Sequence, residues 1–569
     1  MSAVDPSLPQ HSTDVHARTR ALEKVRSEYD YEPRSGNVLA PVAVAGKFPW
    51  WENYLLDWAI PYLPHLVQTL ISTNANKLYY GIRKLFGPYD KYTAYLSLFN
   101  PGLDLPVPPP VQDWDDDGAF ARRWVDGPNP LTIERVTSAA HLASRLTITE
   151  AQFQTALAGP RTLLNEIADG KLFLVDYGLL EKSLIPPSPV HRDTRWRAKY
   201  LPAPVVLLCE RPGVEAVSDL VAVAITIDQQ AATPPNPLYL RGGGVRWQLA
   251  KSYVNVADYN LQLMSIHIYR HHYTAEPVAI TTRRQLAEVH PMLVLLEPHI
   301  RYTISVNHQA FDLMKTAGSA FDTLYAGELS ETINIMRVTR ARSEIHQLRL
   351  PVDLATRGVT TQPAYYPWRE DAILWKDALD RYADTTVRLY YATDAEVAGD
   401  WELQNWFEEL SGDDRGALRG LTPSHQLQTV DELIGLFAQL LFTCGPGHAA
   451  VHFPQTDYFT YVPMYPGAAY LPPPDTADPV DAQRLTDMLP PYDVGAVQFQ
   501  TNQMAYFRFD KFGDFGAYRV SKVAAVQPAI ARLRQDLAGI EVTIQNRNQS
   551  RPRPYIYMLP SLVPNSINV

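Results

Sequence analysis

Two groups of histidines set in otherwise apolar helical text constrain this chain more than any other feature. They are His267, His271 and His272 in SIHIYRHHYTAEP, and His448 and His452 in HAAVHF. A single histidine in a helix is ordinarily a surface residue or a hydrogen-bonded core residue. Two groups in apolar text call for a shared partner, because buried ring nitrogens left unpaired are costly. Any fold that holds them must bring two helices, far apart in sequence, face to face. His448 and His452 are four apart and share one helical face. His267 and His271 have the same spacing, whereas His272, five from His267, points about 140° away on a regular helix. Spacing alone slightly favours His271, and His272 can pair with His267 only across a π-bulge, a feature often found at functional sites. The chain closes on PNSINV, and a free carboxylate such as that of Val569, held inside a protein, can ligate a metal. Imidazole and carboxylate donors suit iron, manganese or zinc. Four imidazoles and one carboxylate would make a non-haem iron or manganese site with one position left for water.

The rest of the sequence is compatible with a large buried core. Of its 569 residues 46% are hydrophobic and 20% charged, which excludes a disordered chain. Cys209 and Cys444 are too few for a disulfide framework or a thiolate metal site, and a reducing, cytoplasmic location is expected. The net charge of -10 with no basic run excludes a general affinity for nucleic acid. The first twenty residues contain no apolar stretch of the kind a secretory signal needs. Trp50 to Ile71 is broken by Glu52, Asp57, Pro61, Pro64 and His65, so it reads as an amphipathic helix, packed on the main domain or lying on a membrane, rather than a span.

Residues 1–35 read as a polar tail, 36–110 as an N-terminal helical extension or lid, and 111–569 as the main domain, entered through the proline-rich LPVPPPVQDW. Short β-branched runs, LFLVDY, APVVLLCE and LVAVAITI, predict a small sheet between 170 and 230. Beyond 245 helical patterns dominate; Thr429 and Glu432 form a capping box ahead of the apolar LIGLFAQLLF. The expected class is mainly α with a minor β part. Asp113, Asp115, Asp117 and Gly118 imitate a calcium loop, but Trp124 stands where its bidentate Glu belongs. Gly242 to Gly244 lacks nucleotide-loop spacing, and no GxSxG elbow is present.

From Trp247 to Asn307 the sequence resembles the catalytic core of lipoxygenases. The motif residues are Trp247, Ala250-Lys251, a histidine ladder, Glu276-Pro277, Arg284-Gln285-Leu286, His290-Pro291, Leu295-Leu296, Pro298-His299, Arg301-Tyr302-Thr303 and Asn307. HAAVHF resembles the family's second ligand helix and PNSINV its C-terminal ligand, and the likeness runs from about Trp114 to the end. It implies metal ligation by His267, His272, His448, His452 and Val569, with a π-bulge bringing His272 into play and His271 a mere neighbour. The family's first ladder rung, not a ligand, is Gln262 here. Gly445-Pro446-Gly447, directly before His448, departs from the family's continuous helix and predicts a kink. Nothing near the N-terminus reads as the β-sandwich lipid-binding domain of plant and animal relatives, so the resemblance is to a bacterial-type member.

The resemblance implies one non-haem iron ion, with manganese the alternative. Manganese-using fungal relatives share the terminal valine but tend to have three residues between the first two ligands, where this chain has four. It further implies dioxygenation of polyunsaturated fatty acids carrying a cis,cis-1,4-pentadiene, by hydrogen abstraction with a ferric hydroxide. Ala310, at the stereocontrol position, implies S-hydroperoxides, Met314 would line the same pocket, and Gln455 would orient the ligands by a hydrogen bond from behind. The expected partners are the fatty acid and O2, with peripheral membrane contact through residues 48–71. A hydroperoxide isomerase on the same metal, or a non-catalytic lipid-binding protein, are the competing outcomes.

Overall fold

A computed structural model describes residues 5–86, 90–184, 190–192, 197–211, 219–227, 237–421, 426–474 and 480–569. The segment expected as a polar tail is built into the fold over its described part. Helix α1 (Val15–Arg26) is capped by the Asp14 side chain, which accepts from the Ala17 amide, and it buries Leu22 and Arg18. The Arg18 guanidinium forks onto Glu402, Nε to Oε1 at 2.5 Å and Nη2 to Oε2 at 2.9 Å, with both side chains almost wholly buried. Such a bidentate, charge-assisted pair gives a polar segment a reason to leave water. Asp30–Tyr31 then pairs antiparallel with Ala45–Lys47, so the region 36–110 is not helical throughout.

Helix α2 (Leu56–Arg83) is amphipathic in the reverse of the usual sense. The residues it buries are Trp58, Thr69, Ser72, Thr73 and Tyr80, while Leu56, Ile60, Leu63, Val67, Ile71, Leu78 and Ile82 are exposed. Thr69 and Thr73 escape the cost of burial by donating back to the carbonyls four residues earlier, of His65 and Thr69.

The expected small sheet is a five-stranded antiparallel meander: β1 (Glu134–Arg135), β2 (Leu172–Asp176), β3 (Val205–Arg211), β4 (Asp219–Thr226) and β5 (Leu238–Leu240). Alternation sorts its residues. Leu172, Leu174, Val205, Leu207 and Cys209 join a small cluster with Phe153 and Leu142, whereas Phe173, Val175, Val206 and Leu208 face the main core. Both faces are covered, which is why the strands read as unbroken apolar runs.

The remainder is mainly helical. Helix α3 (Val245–Leu261) continues without a break through a π-helical stretch (Gln262–His272) into α4 (Tyr273–Gln285). Helices α5 (Pro291–Ile300) and α6 (Thr303–Met314) follow. Helix α7 (Val430–Phe442) carries the expected Thr429/Glu432 capping box and runs through a second π stretch (Thr443–Gly447) into α8 (His448–His452). Val430–Phe459 is apolar and long enough to cross a membrane, yet its most apolar stretch is mostly buried within the protein, as in a core helix. Helix α9 (Tyr492–Met504) packs against α2. The calcium-loop imitation serves the fold instead: Asp116 caps the next helix, and Asp117 bonds Lys251 Nζ at 2.7 Å and Trp247 Nε1 at 2.8 Å.

Candidate metal centre

The two π stretches bring the histidines together. In a π turn the hydrogen bond spans five residues instead of four, so residues five apart come to lie one above the other. His267 and His272 lie within such a stretch, and their Nε2 atoms are 3.0 Å apart. The Gly445-Pro446-Gly447 break is absorbed in the same way. Pro446 cannot donate to the carbonyl four residues back, and the widened turn accommodates this loss. A Cβ on Gly445 would stand 2.6 Å from the Phe512 ring, so only glycine lets that ring close over the turn. The kink therefore leaves His448 in register, with its Nε2 3.1 Å from the Nε2 of both His267 and His272.

His452 completes the group through its other nitrogen, Nδ1, 2.9 Å from His267 Nε2. His267, His272, His448 and His452 are all buried, and among the described residues they form the single group able to hold a metal. Donors at right angles around one ion, at bonds of about 2.1 Å, stand about 3.0 Å apart, whereas tetrahedral donors stand about 3.4 Å apart. The spacings of 2.9 to 3.1 Å here match the right-angled, six-coordinate arrangement.

The surroundings fix which nitrogens face inward. His272 Nδ1–H donates to Asn307 Oδ1 at 2.8 Å, and His452 Nε2–H donates to the Ala505 carbonyl at 2.8 Å. Asn307 is itself held, its amide donating to the His272 carbonyl at 2.9 Å and to Glu276 Oε2 at 3.0 Å. His272 Nε2 and His452 Nδ1 therefore present lone pairs to His267 Nε2, which could donate one proton at most and has three neighbours. A cation among them resolves the conflict. Burial holds the imidazoles neutral, as metal ligands must be: it drives His267 and His448 well below the usual histidine range, aided by their neighbouring rings, His272 down to about 4 and His452 to about 3. Burial also pushes the Glu276 carboxyl up to about 8.

His271, the competitor on spacing, lies outside the group; its Nδ1 bonds the Ile266 carbonyl at 2.8 Å. Gln455 donates to Gln262 Oε1 at 3.3 Å and to the Val451 carbonyl at 3.0 Å, and Gln262 donates to that same carbonyl at 2.6 Å. The two glutamines thus link the first π stretch to the helix that carries His448 and His452. Ala310 and Met314 lie a turn apart on α6, the first half-buried against the core and the second fully buried in it. The C-terminal tail is seated in the protein: Asn565 donates twice to the Asp510 carboxylate, from its backbone and its side-chain amide, His299 Nδ1 donates to the Asn565 carbonyl, and Thr303 Oγ1 donates to the Ile567 carbonyl. Ile567 packs against Ala275 and Cys444, which stand close in sequence to His272 and His448. The anchoring parts of Asn307, His299 and Ala505 were not legible from spacing, although Asn307 and His299 lie within the motif residues.

A lipoxygenase family model matches residues 105–490. The chain is 29% identical to the linoleate 9/13-lipoxygenase of Pseudomonas aeruginosa, over 89% of this chain and 73% of that protein. It is 30% identical to a polyunsaturated fatty acid lipoxygenase of Homo sapiens, over 80% of this chain and 67% of that one. A solved lipoxygenase in complex with arachidonate superposes with a TM-score of 0.87 at 22% identity, over 99% of this chain and 83% of that one. Manganese lipoxygenase superposes at 0.80 and 18% identity over 100% of both chains; both likenesses are evidence of fold.

Proposed function

The chain belongs to the lipoxygenase family, and on that premise we propose that it is a non-haem iron dioxygenase of polyunsaturated fatty acids whose metal is held by His267, His272, His448, His452 and the Val569 carboxylate. The observation that carries this reading is the convergence of four neutral, buried imidazole nitrogens at right-angled spacing. An ion held at such spacing would have room for a carboxylate and one small molecule, and the Val569 carboxylate, at the end of a tail seated through Asn565, Ile567 and Asn568, would supply the former. Held by these residues, iron would supply the one-electron redox chemistry that hydrogen abstraction from a bis-allylic carbon requires.

The protein's part is to hold the donors and position the chain. Asn307 and the Ala505 carbonyl keep two rings in the tautomer that offers its lone pair inward. The four-residue interval between His267 and His272 supports iron over manganese, and Ala310 supports S stereochemistry, with Met314, one turn on, as a candidate lining residue for the acyl chain. Oxygen uptake with linoleate and arachidonate, with chiral analysis of the hydroperoxides, tests the activity. Consumption of hydroperoxide without oxygen would reassign the chain as an isomerase, and manganese as the dominant metal in purified protein would overturn iron.

The substrate class also gives meaning to the reversed helix. Residues 48–71, with exposed Trp50, Trp51, Leu56, Ile60 and Leu63, would meet a membrane from which fatty acid is drawn. Co-sedimentation with phospholipid vesicles, lost in Ile60→Ser/Leu63→Ser, tests this contact.

A further inference from the structure

The inner face of α2 does something its outer face does not reveal. Trp58 Nε1 donates to the carbonyl of Asn568 at 3.1 Å, and Tyr54 Oη, just ahead of α2, donates to the same oxygen at 3.2 Å. The two rings stack with centroids 3.8 Å apart, and Phe507 closes on Trp58 edge-on. Trp58 and Asn568 are both buried. That carbonyl belongs to the peptide joining Asn568 to Val569. Because the peptide is planar, fixing its oxygen fixes the direction in which Val569 leaves, with only the two backbone torsions of Val569 between the pinned plane and the terminal carboxylate. The carbonyl has two lone pairs, and the two donors can occupy both. Two turns further along α2, His65 Nε2 bonds the Gln503 carbonyl at 2.7 Å, two residues before the Ala505 carbonyl that holds His452.

We propose that Tyr54 and Trp58 are positioning residues for the C-terminal metal ligand, so that α2 is a brace of the metal centre as well as an outer cover. The proposal rests on Val569 being a ligand. Packing alone asks only for aromatic rings at 54 and 58; pinning the Asn568 carbonyl asks for the indole N–H and the phenol O–H. An oriented ligand is held more tightly, and losing a partner that orients a ligand typically costs about 10–100-fold in metal affinity.

The test is Tyr54→Phe/Trp58→Phe in the full chain, which keeps both rings and removes both donors. We expect iron to pass to a chelator about 10–100-fold more readily, the ferric electron paramagnetic resonance line shape to change, and the metal-free protein to stay folded, its melting temperature lowered no further than the loss of two hydrogen bonds to one buried carbonyl requires. Tyr54→Phe alone, with the indole donor kept, should be intermediate. Wild-type chelation kinetics and an unchanged resonance in the double variant would overturn the proposal, as would a fall in metal-free stability that accounts for the loss. Should the double variant fail to fold, Trp58→Phe alone is judged by the same two measures. A chain lacking Val569 separates the premises: if it keeps its iron, the C-terminal ligand itself is refuted, whereas if it loses iron while the double variant does not, the brace alone falls.

Discussion

At the scale of single residues, the centre depends on groups that touch no metal. Asn307 links three things at once: the Nδ1–H of His272, the backbone carbonyl of the same residue, and the buried Glu276, whose other oxygen accepts from the Ala45 amide. Asn307→Ala should therefore lower metal affinity about 10–100-fold while leaving the fold intact, measured by competition against a chelator. The buried imidazoles also set a pH dependence whose sign is fixed. His272 and His452 have folded values near 4 and 3 against about 6.5 when unfolded, so below pH 6.5 the unfolded chain binds more protons. Stability of the metal-free protein from this source is fully present above about pH 6.5 and falls as pH drops towards 4. Denaturant titrations across that range check it; a flat profile would mean that these rings are not buried neutral. His267, His448 and His452 could be proposed as ligands from spacing and apolar context. The choice of His272 over His271 could not, because it depends on a hydrogen-bond register that spacing alone does not set.

At the scale of elements, the two π stretches are the decisive departures from regular structure. One lies in a stretch free of proline and glycine, the other contains a proline flanked by glycines, and only the second left a mark in the sequence. A π turn weakens local hydrogen bonding and persists where tertiary contacts favour it. Phe512 over Gly445 is one such contact. Gly445→Ala would drive a methyl to 2.6 Å from that ring and should destabilise the protein by about 1–3 kcal/mol, read in a thermal or denaturant melt, and Phe512→Leu should recover part of it. The capping box at Thr429 and the three strands Leu172–Asp176, Val205–Arg211 and Asp219–Thr226 were legible because their signals are local: a cap is four residues long and a strand is a short β-branched run.

At the scale of the whole molecule, both ends of the chain close onto the catalytic body. The N-terminal segment is polar in composition, yet Arg18 finds its partner in Glu402, whose other oxygen also accepts from the Ala287 amide. Arg18→Met would strand that carboxylate in the interior and should cost about 3–5 kcal/mol in a denaturant melt. At the other end, a short extension beyond Val569 turns the terminal carboxylate into an amide, and we expect the extended protein to purify without its metal; a fully metallated, active tagged protein would refute Val569 as a ligand. By itself the sequence determined the chemistry available to this protein: which donors exist, that they lie in apolar text, and that the main helices and the small sheet form, since these follow from residue identity and short-range periodicity. Only the tertiary structure decided which donors meet, that the N-terminal segment docks, and that α2 turns its apolar face outward and its hydrogen bonds inward. Those outcomes depend on contacts between residues hundreds of positions apart, whose distances no local pattern encodes.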